Sequence, residues 1–274
     1  MRLAGRPQSV NVEDRRGFPM PGGRMPALGC GGLLLVIVIA LVFGVDPREI
    51  LGLLGDPGQV DTVPVPAPAS GPPADELGQS ASIVLADTER RWTELFARSG
   101  ARYEPPTLVL FTGAVESACG FATAAQGPFY CPLDRKVYLD LSFFDELDRR
   151  FGASGDFAAA YVIAHEVGHH VQNLLGASRP EGNAASVRLE LQADCLAGVW
   201  GNRANREGEI IDPGDFEEGL RAASAIGDDR MQKLSRGRVQ PESFTHGSSE
   251  QRARWLARGL ESGEVGACND SEGD

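Results

Sequence analysis

The sequence predicts an α+β domain, mostly helical with a small antiparallel sheet, preceded by a single transmembrane helix. Three observations predict it. Apolar residues recur at helical spacing in several stretches between Ser82 and Leu260. Two short runs, TLVLF from Thr107 and KVYLDL from Lys136, are β-branched, aromatic and bounded by turn residues. The run Ala27–Val45 carries no charge.

Residues 1–26 read as a basic cytoplasmic leader, with Arg2, Arg6, Arg15, Arg16 and Arg24 set against Glu13 and Asp14. The uncharged run 27–45 reads as a membrane anchor of just sufficient length. A cleavable signal peptide is the alternative, with Leu33–Phe43 as its apolar core, but the leader is long and no small-x-small site follows clearly. Cys30 precedes the apolar run, whereas a lipid-bearing cysteine would follow it. Arginines before the span put the leader in the cytoplasm and the remainder outside the membrane. Residues 46–78, with the run VPVPAPASGPPAD, have too little apolar content to pack and read as a Pro-rich stalk. Residues 79–274 suffice for one domain with a sizeable core. The net charge is −12 despite the basic leader, so this domain is acidic, which argues against nucleic acid as a partner.

Within the domain, Ser82–Ser99 predicts a helix with Ile83, Leu85, Trp92, Leu95 and Phe96 inward and Gly100 at its end. Shorter helices are expected from Ser142 and over Asp215–Ile226. Ser248 and Gln251 make a capping box that opens a last helix through Trp255 to Leu260.

The chemistry lies in Ala158–Leu175, AAAYVIAHEVGHHVQNLL, which carries His165, Glu166 and His169 as H-E-x-x-H. Ser154 or Asp156 can cap this helix, Tyr161, Val162, Val167, Val171 and Leu174 give it an apolar face, and Gly176 stops it. Positions four apart share a helical face, so the two imidazoles point to one place, and neutral imidazole is a good zinc ligand. Glu166 sits beside that face, where a carboxylate can act as general base. Alone, the spacing also suits a buried helix whose histidines satisfy core hydrogen bonds. A second spacing decides between them. In SVRLELQADCLAGVW, Glu190 and Asp194 are again four apart on an amphipathic helix, with Leu189, Leu196, Val199 and Trp200 available for packing. Glu190 is expected as the third ligand of one Zn²⁺, and Asp194 as the acceptor that fixes a ligand imidazole's tautomer. His170, rotated about 100° from the ligand pair, reads as a packed histidine.

Four cysteines lie beyond the anchor, and an oxidising compartment favours bridges among them, with three connectivities open. Cys119 with Cys131 would close a local loop and leave Cys195 with Cys268; buried free thiols are the alternative.

The Glu-x-x-x-Asp helix beside H-E-x-x-H resembles the gluzincin metallopeptidases. More widely, NVEDRRG, LVLFTGAVESACGFA, GPFYCP, KVYLDLSFFDEL, AYVIAHEVGHHVQNLLG, RLELQADCLAGVW, AASAIGDDR and SFTHGSSEQRARW resemble the bacterial neutral zinc metallopeptidases, the YpfJ-like group. The resemblance implies a zincin-like domain at the bacterial cytoplasmic membrane, a peptide or protein substrate, His165, His169 and Glu190 on zinc, and Glu166 as base. It also implies that His246, in THGSSEQR, matches the histidine of a T-H-P-x motif near the site, with Gly247 in place of proline, and that 117–122 is an edge strand for substrate. Arg252 reads as support for His246 or for an acidic partner, and equally as a surface residue. A zinc-bound scaffold without activity and a non-peptide hydrolase are the alternative functions; an intact Glu166 favours an enzyme.

Overall fold

A computed structural model describes residues 1–17, 69–177, 180–208 and 210–269. Seven strands are described: β1 (Val12–Asp14), β2 (Ala69–Ser70), β3 (Thr107–Phe111), β4 (Ala114–Ser117), β5 (Gly120–Thr123), β6 (Phe129–Cys131) and β7 (Lys136–Asp140). The described helices are α1 (Glu76–Arg98), α2 (Ser142–Phe151), α3 (Asp156–Leu174), α4 (Asn183–Gly208), α5 (Asp215–Ala225), α6 (Asp228–Arg236) and α7 (Ser249–Ser262).

Five strands form one sheet in the order β2-β1-β3-β7-β6, and β4 with β5 makes a separate hairpin. The expected antiparallel sheet is corrected: β1, β3 and β7 run parallel, and only the outer strands β2 and β6 are antiparallel to their neighbours. Parallel strands need a crossover, and α1 lies in the one between β1 and β3. Side chains alternate across β3 and β7. Leu108, Leu110, Val137 and Leu139 join the main helical core, whereas Val109, Phe111 and Tyr138 pack with Val115, Ala122 and Cys131 of the hairpin side.

The transmembrane part of the expected architecture is also corrected. The run 27–45 and most of the stalk lie outside the described residues, and among the described residues no helix is long and apolar enough to cross a membrane. A leader on one face of a membrane and a catalytic domain on the other is incompatible with the sheet, because residues 1–16 belong to the same compact unit as the domain. Val12, Glu13 and Asp14 pair with Leu108, Val109 and Leu110, and Val12 is buried. The Met1 ammonium lies 3.4 Å from Asp215, and the Arg2 N–H donates to the Ile210 carbonyl at 2.9 Å. Single-pass localisation, and the membrane as a partner through such a span, are therefore not supported.

The helix ends show which signals act. Asp75 caps α1 by accepting from the Gly78 N–H at 3.0 Å, so this helix starts before Ser82. The capping box of Ser248 and Gln251 opens α7. At α3 the N-cap is Gly155 (φ 124°), with no side-chain cap from Ser154 or Asp156. Instead Glu218 of α5 accepts from the Phe157 N–H at 3.3 Å, a long-range cap. Gly176 (φ 84°) follows the end of α3.

Helices α3, α4 and α7 pack closely because small residues meet at the crossings. A Cβ on Gly168 of α3 would lie 2.9 Å from the Ala193 carbonyl oxygen and 3.2 Å from its Cα. Gly198 of α4 and Gly259 of α7 make a similar backbone approach. Cys195 of α4 is bonded to Cys268, tying the C-terminal segment to this core, and Cys119 is bonded to Cys131, tying the hairpin to β6.

Candidate metal centre

The crossing of α3 over α4 brings His165, His169 and Glu190 together, with one donor atom from each within 4.8 Å of the others. His165 Nε2 lies 3.2 Å from Glu190 Oε2, and His169 Nε2 lies 3.5 Å from Glu190 Oε1. Four donors at zinc bond lengths of about 2.1 Å stand roughly 3.4 Å apart in a tetrahedron. The donor set therefore fits zinc in both chemistry and spacing.

Each imidazole commits its outer nitrogen elsewhere, which leaves Nε2 for the centre. His165 Nδ1 donates to Asp194 Oδ1 at 2.8 Å, and His169 Nδ1 lies 2.9 Å from Gln172 Oε1. Asp194 is fully buried, and such a carboxylate needs donors on both oxygens. Arg252 of α7 supplies a fork: Nε donates to Oδ2 at 2.8 Å and Nη2 to Oδ1 at 2.9 Å. The Tyr161 hydroxyl donates to Oδ1 at 2.6 Å. Arg252 is thus a buried partner of Asp194, and the surface alternative is corrected.

The charges follow from these contacts. Burial pushes the Asp194 carboxyl up, but Arg252 and His165 outweigh it and hold the pKa at about 2. Burial opposes charge on His165, but Asp194 and Glu190 outweigh it and draw the pKa up to about 10. Burial likewise raises Glu190, yet His169 and His165 hold it well below the usual carboxylate range. The cluster attracts positive charge at the place where the nitrogens converge. Glu166, one residue along the helix from His165, is buried, and that burial raises its pKa against the pull of the two histidines.

The other expected residues fall apart from this cluster or on its rim. His170 is fully buried on another face of α3, donating from Nε2 to the Glu104 carbonyl at 2.6 Å while Nδ1 meets the Tyr130 hydroxyl at 3.0 Å. His246 has a half-exposed side chain whose Nδ1 lies 3.2 Å from Asp228 Oδ1. Its loop is clipped to α6, because the backbone N–H groups of Thr245 and His246 both donate to Asp228 Oδ2 at 2.7 Å. The loop rests on α4 at Gly247, whose missing Cβ would touch Leu191 and Val187, on either side of Glu190. Gly247 has φ 91°, a conformation closed to proline, so the departure from T-H-P has a backbone cause. The segment 117–122 forms the tip of the β4–β5 hairpin, with Ser117 opposite Gly120.

Gln172, Gln192 and the hydroxyl of Tyr161 were not expected at the site. Periodicity places Tyr161 on the apolar face and is silent about its oxygen. For Gln172 the available signal was its place three residues after His169, on the same helical face.

The chain matches the family described as "Putative neutral zinc metallopeptidase" over residues 1–271. It is 48% identical over 286 residues, 98% of each chain, to "Uncharacterized protein YpfJ" of Escherichia coli (strain K12). It is 40% identical over 254 residues, 84% of each chain, to "Uncharacterized protein Rv2575" of Mycobacterium tuberculosis (strain ATCC 25618 / H37Rv). No solved structure matches it. With two imidazoles and a carboxylate converging at zinc spacing and the match running through nearly every residue, the chain belongs to the neutral zinc metallopeptidase family.

Proposed function

We propose that the protein is a zinc-dependent endopeptidase in which His165, His169 and Glu190 hold the metal and Glu166 is the general base. Zinc, when bound, polarises the scissile carbonyl and makes the attacking water more acidic. The observation that carries the reading is the place of Glu166. Its carboxylate is buried beside the ligand set and is rotated about 100° from His165 along the helix. We therefore assign to it the removal of the proton from the attacking water and its delivery to the leaving amine. Asp194 with Arg252 and Tyr161 keeps His165 in the Nδ1–H form throughout. His246, anchored by Asp228 and within electrostatic reach of Glu190, is the donor that we assign to the developing oxyanion.

The test uses the full chain and a broad peptide mixture, with metal content measured alongside cleavage. Glu166→Gln keeps shape and removes the base, so zinc should remain while cleavage falls by roughly 10² to 10⁴. Equal cleavage by parent and variant would refute the mechanism. A parent that holds zinc yet cleaves no peptide would point instead to a zinc-bound scaffold or a hydrolase of another substrate.

A further inference from the structure

We infer that Gln172 is the positioning residue for His169, doing with a neutral amide what Asp194 does for His165. The inference rests on the reading of His165, His169 and Glu190 as a metal centre.

Gln172 is buried, 3% exposed, one turn beyond His169 on α3. Its two amide atoms have partners of opposite kind. Nε2 donates to the Leu189 carbonyl at 2.7 Å and to Gln192 Oε1 at 2.9 Å. Turning the amide over would set Oε1 against that carbonyl and leave a buried donor facing the imidazole, so the orientation with Oε1 towards His169 is held. An amide oxygen only accepts. His169 Nδ1, at 2.9 Å, must then carry the proton, and the Nε2 lone pair faces the centre.

The orientation is itself supported from behind. Gln192 Nε2 donates to Asn269 Oδ1 at 3.1 Å and meets the Cys268 carbonyl at 3.4 Å, so its own oxygen is left for Gln172. Cys268 is held to α4 by its bond to Cys195. A chain of amides thus runs from the C-terminal segment to a ligand imidazole. Because Leu189 precedes Glu190, the same Gln172 amide also joins the helix of His169 to the turn that carries the third ligand. A carboxylate at 172 would add a further negative charge beside Glu166, Glu190 and Asp194, where the buried Arg252 guanidinium is already committed to Asp194. A neutral acceptor fixes the tautomer without that repulsion.

The test compares Gln172→Met with Gln192→Met in the full chain, reading zinc affinity by competition with a chromophoric chelator and thermal stability in parallel. Each variant removes three hydrogen bonds of the same network, but only Gln172→Met removes the acceptor on His169. Gln172→Met should weaken zinc binding by roughly 10- to 100-fold, the usual range for such outer partners, whereas Gln192→Met should change it by no more than about threefold. Equal effects of the two variants, or an unchanged affinity in Gln172→Met, would overturn the inference while leaving the metal reading intact. A parent that binds no zinc would overturn both. Should Gln172→Met fail to fold, long-range ¹H–¹⁵N correlation on the zinc-loaded parent decides: a proton on His169 Nδ1 supports the assignment and a proton on Nε2 refutes it.

Discussion

Gly168 sits between the two histidines of H-E-V-G-H, and the structure makes Gly168→Ala a sharp test of how the centre is built. The new methyl would stand 2.9 Å from the Ala193 carbonyl oxygen and 3.2 Å from its Cα. Ordinary contact needs about half an ångström more, and backbone atoms cannot rotate away as a side-chain tip can. On an exposed helix the same change would stabilise by about 1 kcal/mol through helix propensity. Here overpacking opposes it with about 1–3 kcal/mol, so the net effect should be a loss of up to about 2 kcal/mol. That corresponds to a fall in Tm of up to roughly 8 °C for a domain of this size. The functional consequence is larger than the thermal one. A metal site tolerates departures of only about 0.2 Å in its bond lengths, and moving α4 by about half an ångström withdraws Glu190 from both imidazoles. Zinc affinity should fall, by at least tenfold on the scale of disturbed outer partners. Gly266→Ala, where a Cβ meets nothing within 4 Å, is the control. Calorimetry and chelator competition on the three proteins provide the measurement. If Gly168→Ala melts at or above the parent temperature and binds zinc equally well, the close crossing is not what sets the ligand spacing.

Two further outcomes rest on contacts elsewhere in the domain. A chain beginning at Gly71 lacks β1, strips one of its two partners from β3 and exposes the Leu108 N–H that donates to the Asn11 carbonyl at 2.9 Å; it should show no cooperative melt, and a transition equal to the full chain would show β1 to be dispensable. The Asp228 hydrogen bond raises the His246 pKa above its unfolded value, so the stabilisation is fully present below about pH 6.5 and is lost as pH rises through the folded pKa. The stability difference between parent and His246→Ala should therefore shrink across that range; a difference independent of pH would show that the contact does not titrate.

What was legible in the sequence was what periodicity and short spacing encode. The helices that carry His165 and Glu190, the strands at Thr107 and Lys136, and the capping box at Ser248 all depend on residues within a few positions of one another. What was not legible depends on partners far along the chain. Residues 12–14 read as part of a charged leader because a three-residue strand with one apolar side chain has no period, and only pairing with β3 makes it a strand. The cap of α3 comes from Glu218, 61 residues away, so Ser154 and Asp156 were the only local candidates. Arg252 looked as suited to solvent as to burial, since its partner Asp194 lies 58 residues earlier. The antiparallel expectation for the sheet failed for the same reason, because a parallel pair leaves no turn signature between its strands.

The buried charges explain why the centre cannot be separated from the core. Asp194, with no exposed surface, accepts from Tyr161, His165 and Arg252, and Arg252 is itself buried. Removing either member of the Asp194 and Arg252 pair strands the other charge in a poorly solvated place, a loss of about 3–5 kcal/mol in comparable buried pairs. A lysine at 252 would keep the charge but not the two parallel donors that match a carboxylate. The pair is held by the α4–α7 crossing at Gly198 and Gly259, just as the cluster of His165, His169 and Glu190 is held by the α3–α4 crossing at Gly168. Three helices therefore fix the candidate metal donors, their outer partners and the hydrophobic core through the same contacts, and a change that loosens one crossing must be felt in all three.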